Sequence, residues 1–194
     1  MIRTLGVVLL ALILGFGAGC GDQAKDQAAE AALAEVQAAK AQAELEARNV
    51  QLIKTVIAEI DKGNPEIMLK LYAPDAKFFF PSGSTKPLSR EAEVAMARTF
   101  LAGLSDLTHE ITDIFAVKDK VVLRAVVRGT HRAELEGIPQ TGSKIALSVL
   151  AVFRIKEGLV VEEAEDADML GFYQQLGMEL RPKAPAKPAA ATSS

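Results

Sequence analysis

Two long segments of alternating apolar and polar residues flank the turn-rich stretch from Arg128 to Gly142, and they constrain the fold of this chain most. In the first segment the apolar residues occupy odd positions from Val121 to Val127, and in the second they occupy odd positions from Ile145 to Ile155. Alternation of this kind is typical of β-strands that are buried on one face. Because the connecting stretch contains glycine and proline, the two segments are predicted to pair as antiparallel strands.

The rest of the central region predicts helices that precede strands. Apolar residues recur at helical spacing from Val50 to Ile60, and again from Val94 to Leu104, with Ser89 placed to cap the second helix. Strands are predicted at 77–81, 109–117, 120–132, 144–156 and 159–166, and a last helical segment at 170–176. Helices followed by long antiparallel strands predict an α+β fold, with the helices packed on one face of a sheet.

The beginning of the chain has the pattern of an export signal. Arg3 precedes an apolar run, and small residues precede Cys20. The apolar run is shorter than the roughly 20 residues that span a bilayer. We interpret 1–19 as a signal peptide and Cys20 as a lipidation site, similar to the acceptor cysteine of bacterial lipoproteins, although Gly17 stands where such proteins usually have an aliphatic residue. The protein is then exported and membrane-anchored; an ordinary signal peptide or an uncleaved anchor is the alternative.

The segments on either side of the central domain differ from it in composition. Residues 20–48 are rich in Ala, Gln, Glu and Lys, with no Gly or Pro between Gly21 and Gly63, so a continuous helix is predicted. Its apolar positions are mostly alanine, which favours a stalk over the alternative, weak coiled-coil pairing. Residues 179–194 are rich in Pro, Ala and Lys and are predicted to be disordered. The folded domain is therefore predicted at 49–178.

Composition and motifs exclude several functional classes. The net charge of −3 gives no indication of a nucleic-acid partner. One Cys and two His leave little for a metal site and nothing for a disulfide framework within the chain. The sequence contains no phosphate-binding glycine loop, dinucleotide fingerprint, HExxH pattern or serine nucleophile elbow. We therefore expect no cofactor, no metal and no nucleic-acid partner.

Several segments in a fixed order resemble a known family. GTHRAELEGIPQTG at 129–142 is followed by VFRIKEG and LVVEEAEDADMLGFYQQLG, and LYAPD precedes them at 71–75. These segments resemble the SnoaL-like polyketide cyclases and ester cyclases of the nuclear transport factor 2-like superfamily. The resemblance implies a bent sheet wrapped into a cone, with a pocket for a small apolar or amphipathic molecule between the sheet and the helices. It also implies a homodimer formed through the sheet face.

The candidate catalytic residues are polar side chains on apolar faces, because burial there can tune a pKa for proton transfer. His131 has the parity of the apolar face of its strand, and Asp113 shares its parity with Ile111. The alternatives are a hydrogen-bonded structural histidine and a β-bulge that turns Asp113 outward. Among the carboxylates from Glu162 onward, most are predicted to be solvated. The resemblance selects Asp168 as the acid that matches the family.

The resemblance also bears on the wall of the pocket. Its predicted ligand-binding residues are Tyr72, Phe80, Leu123, Val127 and Phe153, although Tyr72 and His109 are also explained by packing alone. Ala164 stands where relatives often have a tryptophan, which predicts the loss of one wall. Ala151 is a candidate for the position of the catalytic acid of the family, which would then be absent.

Three functions are compatible with this sequence. The favoured one is a non-catalytic binding module for a small apolar or amphipathic molecule. The second is an enzyme that uses acid–base chemistry on a carbonyl substrate, in ring closure or isomerisation. The third is an interaction protein that dimerises through its sheet.

Overall fold

The computed structural model describes residues 21–182 of the 194-residue chain. The predicted signal peptide, Cys20 and the part of the predicted tail after residue 182 lie outside the described residues. Among the residues that are described, no helix combines the length and the hydropathy of a membrane span.

The chain divides into two compact units, with the boundary between Gln42 and Ala43. Helix α1 is assigned to Gly21–Asp61, 41 residues without an internal Gly or Pro, as the composition predicts. In the first unit its residues 25–41 are exposed, including Leu33 and Val36. The stalk and coiled-coil interpretations of this segment both stay predictions.

The second unit contains the remaining helices and all of the assigned strands. After the end of α1 and a 3₁₀ turn (Pro65–Ile67), its elements follow in this order: α2 (Met68–Leu71), β1 (Tyr72–Phe79), β2 (Leu88–Ser89), α3 (Arg90–Gly103), β3 (Leu104–Val117), β4 (Lys120–His131), β5 (Lys144–Lys156), β6 (Leu159–Ala167) and α4 (Met169–Gln175). The Ser89 side chain accepts a hydrogen bond from the Ala92 amide and caps α3, as predicted.

The strands form one six-stranded sheet in the order β2-β1-β6-β5-β4-β3, which is curved and does not close. Strands β3 to β6 pair as antiparallel neighbours, and the α+β prediction is confirmed. Strand β1 differs from the prediction because it pairs with β6 in parallel. Register shifts interrupt β3 twice, and bulges of this kind bend a strand and increase its twist.

The inward faces of the strands and the apolar face of α1 enclose the core. Ile53 and Val56 of α1 pack in the same buried cluster as Val121 and Leu123 of β4 and Phe153 of β5. The second half of α1 is held in place by polar contacts as well. Its Glu46 side chain accepts a hydrogen bond from the Lys118 amide, and its Asn49 side chain donates to the Lys118 carbonyl. This half of the helix therefore lies across the concave face of the sheet.

Candidate functional site

A cavity of about 140 Å³ lies between the concave face of the sheet and the helices. Most of its wall is apolar and comes from α1, α3, β4 and β5. Its volume is close to the roughly 150 Å³ of an engineered apolar cavity that binds benzene. Five side chains bring polar groups to this wall: Tyr72, Glu93, His109, Glu163 and Glu165.

Two of the carboxyl groups reach the cavity because of the register of β6. Glu163 is paired with Phe153, and Glu165 is paired with Ala151, on the inward face of the sheet. The side chain of Ala151 is small, so the space beside Glu165 is left open. Glu93 comes from the first turn of α3, where the helix dipole favours a carboxylate.

Tyr72 and two of the glutamates form a buried hydrogen-bonded group. The Tyr72 hydroxyl donates to Glu163 Oε2 over 2.7 Å, and the carboxyl groups of Glu93 and Glu163 hydrogen-bond to each other. Glu163 is 5% exposed and Glu93 is 7% exposed. Two carboxyl groups in direct contact cannot both ionise at low cost, so the pair holds at least one proton.

Burial raises the pKa of four groups on the cavity wall, Tyr72, Glu93, Glu163 and Glu165. It raises the pKa of Glu163 well above its usual range, and repulsion by Glu93 adds to this effect. Burial also raises the pKa of Glu93 to about 7, against the opposing effect of its hydrogen bond with Glu163. The pKa of Glu165 rises to about 8 through burial and the nearby Glu163, and the pKa of Tyr72 rises for the same two reasons. At neutral pH the cavity therefore contains protonated carboxyl groups.

Glu165 differs from its two neighbours in its hydrogen bonding. Within the described part of the chain, no group donates a hydrogen bond to its carboxyl or accepts one from it. Its side chain is partly exposed and lines the cavity. A protonated Glu165 thus has an O–H group that can donate to an acceptor on a bound molecule.

The predicted ligand-binding residues all lie on the cavity wall: Tyr72, Phe80, Leu123, Val127 and Phe153. Their contact with a ligand stays a prediction. Ala164 requires a correction, because it pairs with Val152 and Phe79 on the outer face of the sheet. It does not contribute to the wall, so the expected loss of a wall at this position was wrong.

His131 lies on the apolar face of β4, as predicted, and is fully buried. It is not among the residues that line the cavity, and it forms no hydrogen bond with Asp113 or with a carboxylate of β6. Its Nδ1 instead accepts a hydrogen bond from the Thr141 amide and lies 3.0 Å from the Thr141 hydroxyl. The position at the end of β4, beside the chain crossing, explains this difference.

The other two predicted catalytic residues are exposed and also lie away from the cavity wall. A register shift between Ile111 and Asp113 turns Asp113 outward, where it forms an ion pair with Arg124. This is the β-bulge that was predicted as the alternative to a catalytic role for Asp113. Asp168 is the N-cap of α4, and its side chain accepts a hydrogen bond from the Gly171 amide.

Sequence reasoning missed Glu93, Glu163 and Glu165 as cavity residues. Both faces of β6 carry carboxylates, so parity alone did not distinguish the buried ones from the solvated ones. For Glu93 a signal was present, because Glu93, Ala97, Phe100 and Leu101 follow a helical spacing and all line the cavity. Within residues 21–182, no three acidic, histidine or cysteine side chains are placed to hold a metal ion.

Comparisons with known proteins agree with this architecture. A family model described as SnoaL-like polyketide cyclase matches residues 50–176. IdmH, a proposed polyketide cyclase from Streptomyces antibioticus, is 28% identical with a TM-score of 0.59, over 67% of this chain and 99% of that one. AclR, a proposed hydroxylase from Streptomyces galilaeus, is 25% identical with a TM-score of 0.63, over 68% and 97% of the two chains.

A third solved structure shares the fold alone. This protein from Catenulispora acidiphila has a ketosteroid isomerase-like fold and is 18% identical, with a TM-score of 0.54 over 68% of this chain and 97% of that one. None of the curated proteins compared with the chain matches it.

The raised pKa of Glu165 predicts that the protein becomes less stable as pH rises from about 5 to 8. Below its ordinary value of 4.5, the carboxyl is protonated in both the folded and the unfolded chain. Between 4.5 and about 8 it ionises only in the unfolded chain, which favours unfolding. Each pH unit in this window is equivalent to about 1.4 kcal/mol, so we expect Glu165→Gln to reduce the fall in the free energy of unfolding between pH 5 and 8 by roughly 3 kcal/mol.

Urea unfolding at a series of pH values measures this effect. Glu162→Gln is the matched control, since Glu162 lies on the outer face near Arg154 and is expected to leave the slope unchanged. Equal slopes for the wild-type protein and Glu165→Gln would contradict the assignment of a buried proton to Glu165.

Proposed function

Because the chain belongs to the SnoaL-like polyketide cyclase family, we propose that its cavity binds a small, mainly apolar carbonyl compound and catalyses proton transfer on it. The observation that carries the proposal is Glu165, a carboxyl group that holds a proton at neutral pH and has no protein partner for it among the described residues. Neutral carboxylic acids in apolar sites are effective hydrogen-bond donors to carbonyl oxygens.

The proposed reaction is enolisation. The substrate oxygen accepts a hydrogen bond from the Glu165 O–H group. As a base in the cavity takes a proton from the adjacent carbon, the C–H electron pair forms the new C=C bond and the C=O π pair moves onto oxygen, which takes the Glu165 proton. General acid help of this kind contributes typically about 10²–10⁴-fold in rate.

The neighbouring groups keep Glu165 suitable for this role. Glu163 stays protonated between Tyr72 and Glu93, and its proximity raises the pKa of Glu165. Glu93, with a pKa of about 7, is the group of the cluster that exchanges protons most readily near neutral pH. When the enol returns to the ketone, its O–H proton goes back to the Glu165 carboxylate, so the acid is restored at the end of each turnover.

A binding module without catalysis is the second candidate. It is favoured by the way Glu93, Glu163 and Tyr72 hydrogen-bond to one another, which satisfies these buried groups without any ligand. One fold also supports different activities, since the related structures include a proposed cyclase and a proposed hydroxylase. The identity of the ligand is open in both proposals.

Hydrogen–deuterium exchange of cyclohexanone tests the catalytic proposal. This ketone is about the size of benzene and suits the cavity, and the exchange of its α-hydrogens in D₂O is followed by proton NMR. We expect the wild-type protein to accelerate exchange and Glu165→Gln to lower the protein-dependent rate at least about tenfold. Glu162→Gln is the control and should retain the wild-type rate. Binding of the ketone without any accelerated exchange would favour the second candidate.

We also propose that the domain is exported and anchored to a membrane through a lipid on Cys20. The support is the sequence alone, in which a short apolar run and small residues precede this cysteine. We expect a fatty-acid analogue to label the protein in cells, and Cys20→Ser to abolish the label and release the protein from membranes. An unlabelled Cys20→Ser protein that stays in the membrane fraction would indicate an uncleaved anchor instead.

The outer face of the sheet supports a further proposal, a homodimer. An apolar row crosses five strands in register on this face, through Phe115, Val122, Val152, Ala164 and Phe79. Phe115 is 52% exposed. Charged side chains border the row, among them the ion pairs Arg124–Asp113 and Arg154–Glu162. An apolar centre with a charged rim is typical of protein interfaces and fits a second copy of the sheet.

Sedimentation velocity over a range of concentrations tests the dimer. We expect the wild-type protein to dimerise and Phe115→Asp to shift it to a monomer, because a carboxylate would be desolvated at the centre of the interface. Leu170→Asp is the control, since Leu170 is equally exposed but lies on α4. A wild-type monomer at all concentrations would contradict the proposal.

A further inference from the structure

His109 is a cavity residue for which the proposed function has so far assigned no role. It lies on β3, and its imidazole contributes to the cavity wall. Its Nδ1 is 2.6 Å from Asp61 Oδ1, and its backbone amide donates to Asp61 Oδ2 over 3.2 Å. Both oxygens of the Asp61 carboxylate therefore bond to the same residue and fix the orientation of its ring.

This contact determines which ring nitrogen carries the hydrogen. A carboxylate accepts hydrogen bonds but does not donate them, so Nδ1 must hold the hydrogen. The neutral imidazole then has its lone pair on Nε2. Within the described chain no group hydrogen-bonds to Nε2, and the His109 side chain is 15% exposed. Nε2 thus has a lone pair that no group of the described chain engages.

The position of Asp61 supports a specific role for the pair. Asp61 is the last residue of α1, and the helix dipole disfavours a carboxylate at that end. The two hydrogen bonds from His109 offset this disadvantage. In return, Asp61 holds the ring with Nδ1 directed towards the end of α1.

His109 and the carboxyl groups line the same cavity from strands that are not neighbours in the sheet. It is in register with Val127, which is in register with Leu147, and both of these residues line the cavity. Strand β3 is separated from β6 by β4 and β5, so His109 and Glu165 lie on different walls of one curved sheet. Both residues line the same cavity, so one ligand is within contact distance of strands on both walls.

We propose that His109 is the catalytic base of this cavity and that Asp61 is its positioning residue. The proposal rests on the proposed function, in which Glu165 protonates the carbonyl oxygen. Nε2 takes the proton from the carbon next to the carbonyl, the C–H pair forms the C=C bond, and the oxygen receives the Glu165 proton. The products are an enol, an imidazolium paired with Asp61, and a Glu165 carboxylate. After the imidazolium has exchanged its proton with water, Nε2 returns a proton to the same carbon in an exchange, or to a conjugated carbon in an isomerisation. The enol oxygen gives its proton back to the Glu165 carboxylate as the C=O bond re-forms.

The other histidine of the chain provides a matched control. His131 Nδ1 accepts the Thr141 amide, so its neutral ring carries the hydrogen on Nε2, an atom that is buried and has no hydrogen-bond partner in the described chain. His131 therefore has the opposite tautomer and no place on the cavity wall. A nonspecific effect of histidine replacement would affect both variants.

Hydrogen–deuterium exchange of cyclohexanone distinguishes a failure of this inference from a failure of the proposed function. We expect His109→Gln to lower the protein-dependent rate at least about tenfold, and His131→Gln to leave it within about twofold when its thermal transition shows a folded protein. Asp61→Asn should lower the rate of exchange while ketone binding is retained. If His109→Gln does not fold, Asp61→Asn tests the role of the pair in its place. A wild-type rate in His109→Gln, together with loss in Glu165→Gln, would overturn the role of His109 and leave the proposed function standing. No exchange by the wild-type protein would overturn both.

A second measurement needs no turnover. Because the chain has two histidines, nitrogen-15 labelling of histidine gives two imidazole spin systems, and His131→Gln assigns them. We expect the neutral His109 ring to carry its hydrogen on Nδ1, and its Nε2 signal to shift when cyclohexanone is added. A hydrogen on Nε2, or an unmoved Nε2 signal while other cavity residues respond to the ketone, would overturn the inference.

Discussion

The burial of carboxyl groups beside an apolar cavity is the constraint on which the site depends. An ionised carboxylate loses its hydration in such a place, so Glu163 and Glu165 retain their protons and Glu93 shares one with Glu163. The Tyr72 hydroxyl donates to Glu163 and satisfies an acceptor that water cannot reach. Strand β6 and helix α3 must therefore meet in one arrangement, since a shift of either element would leave a buried acid without a partner.

The periodicity of the sequence predicted the elements of the fold well because each element has one buried face. Strand β5 has the predicted bounds, and β4 and β6 differ from them by one residue. Two features depended on contacts between distant segments and were not predictable in this way. The parallel pairing of β1 with β6 joins strands that are far apart in the chain. The bulge at Asp113 inverts the parity that had placed this residue inward.

The site was harder to predict because parity identifies a face of a strand but not what the face covers. His131 and Val127 share a face of β4, yet Val127 lines the cavity and His131 lies beyond it, bonded to Thr141. His109 shares its parity with Leu107 and Ile111, but its role depends on Asp61, 48 positions away. The hydrogen-bond partner, rather than the residue type, distinguishes the two histidines. One ring accepts at Nδ1 and the other donates there.

The groups that contact the acids of β6 and the imidazole of β3 determine where each of these side chains carries its hydrogen. On the inward face of β6, burial and the neighbouring acids favour the protonated, neutral form of Glu163 and Glu165. On β3 the neighbour of the imidazole is a carboxylate, which favours a ring that can accept a proton at Nε2. Proton transfer through a ligand requires a donor and an acceptor that do not neutralise each other directly, and their separation by two strands meets this requirement. The curved sheet thus holds an acid and a base on separate strands around one apolar cavity, where they do not neutralise each other.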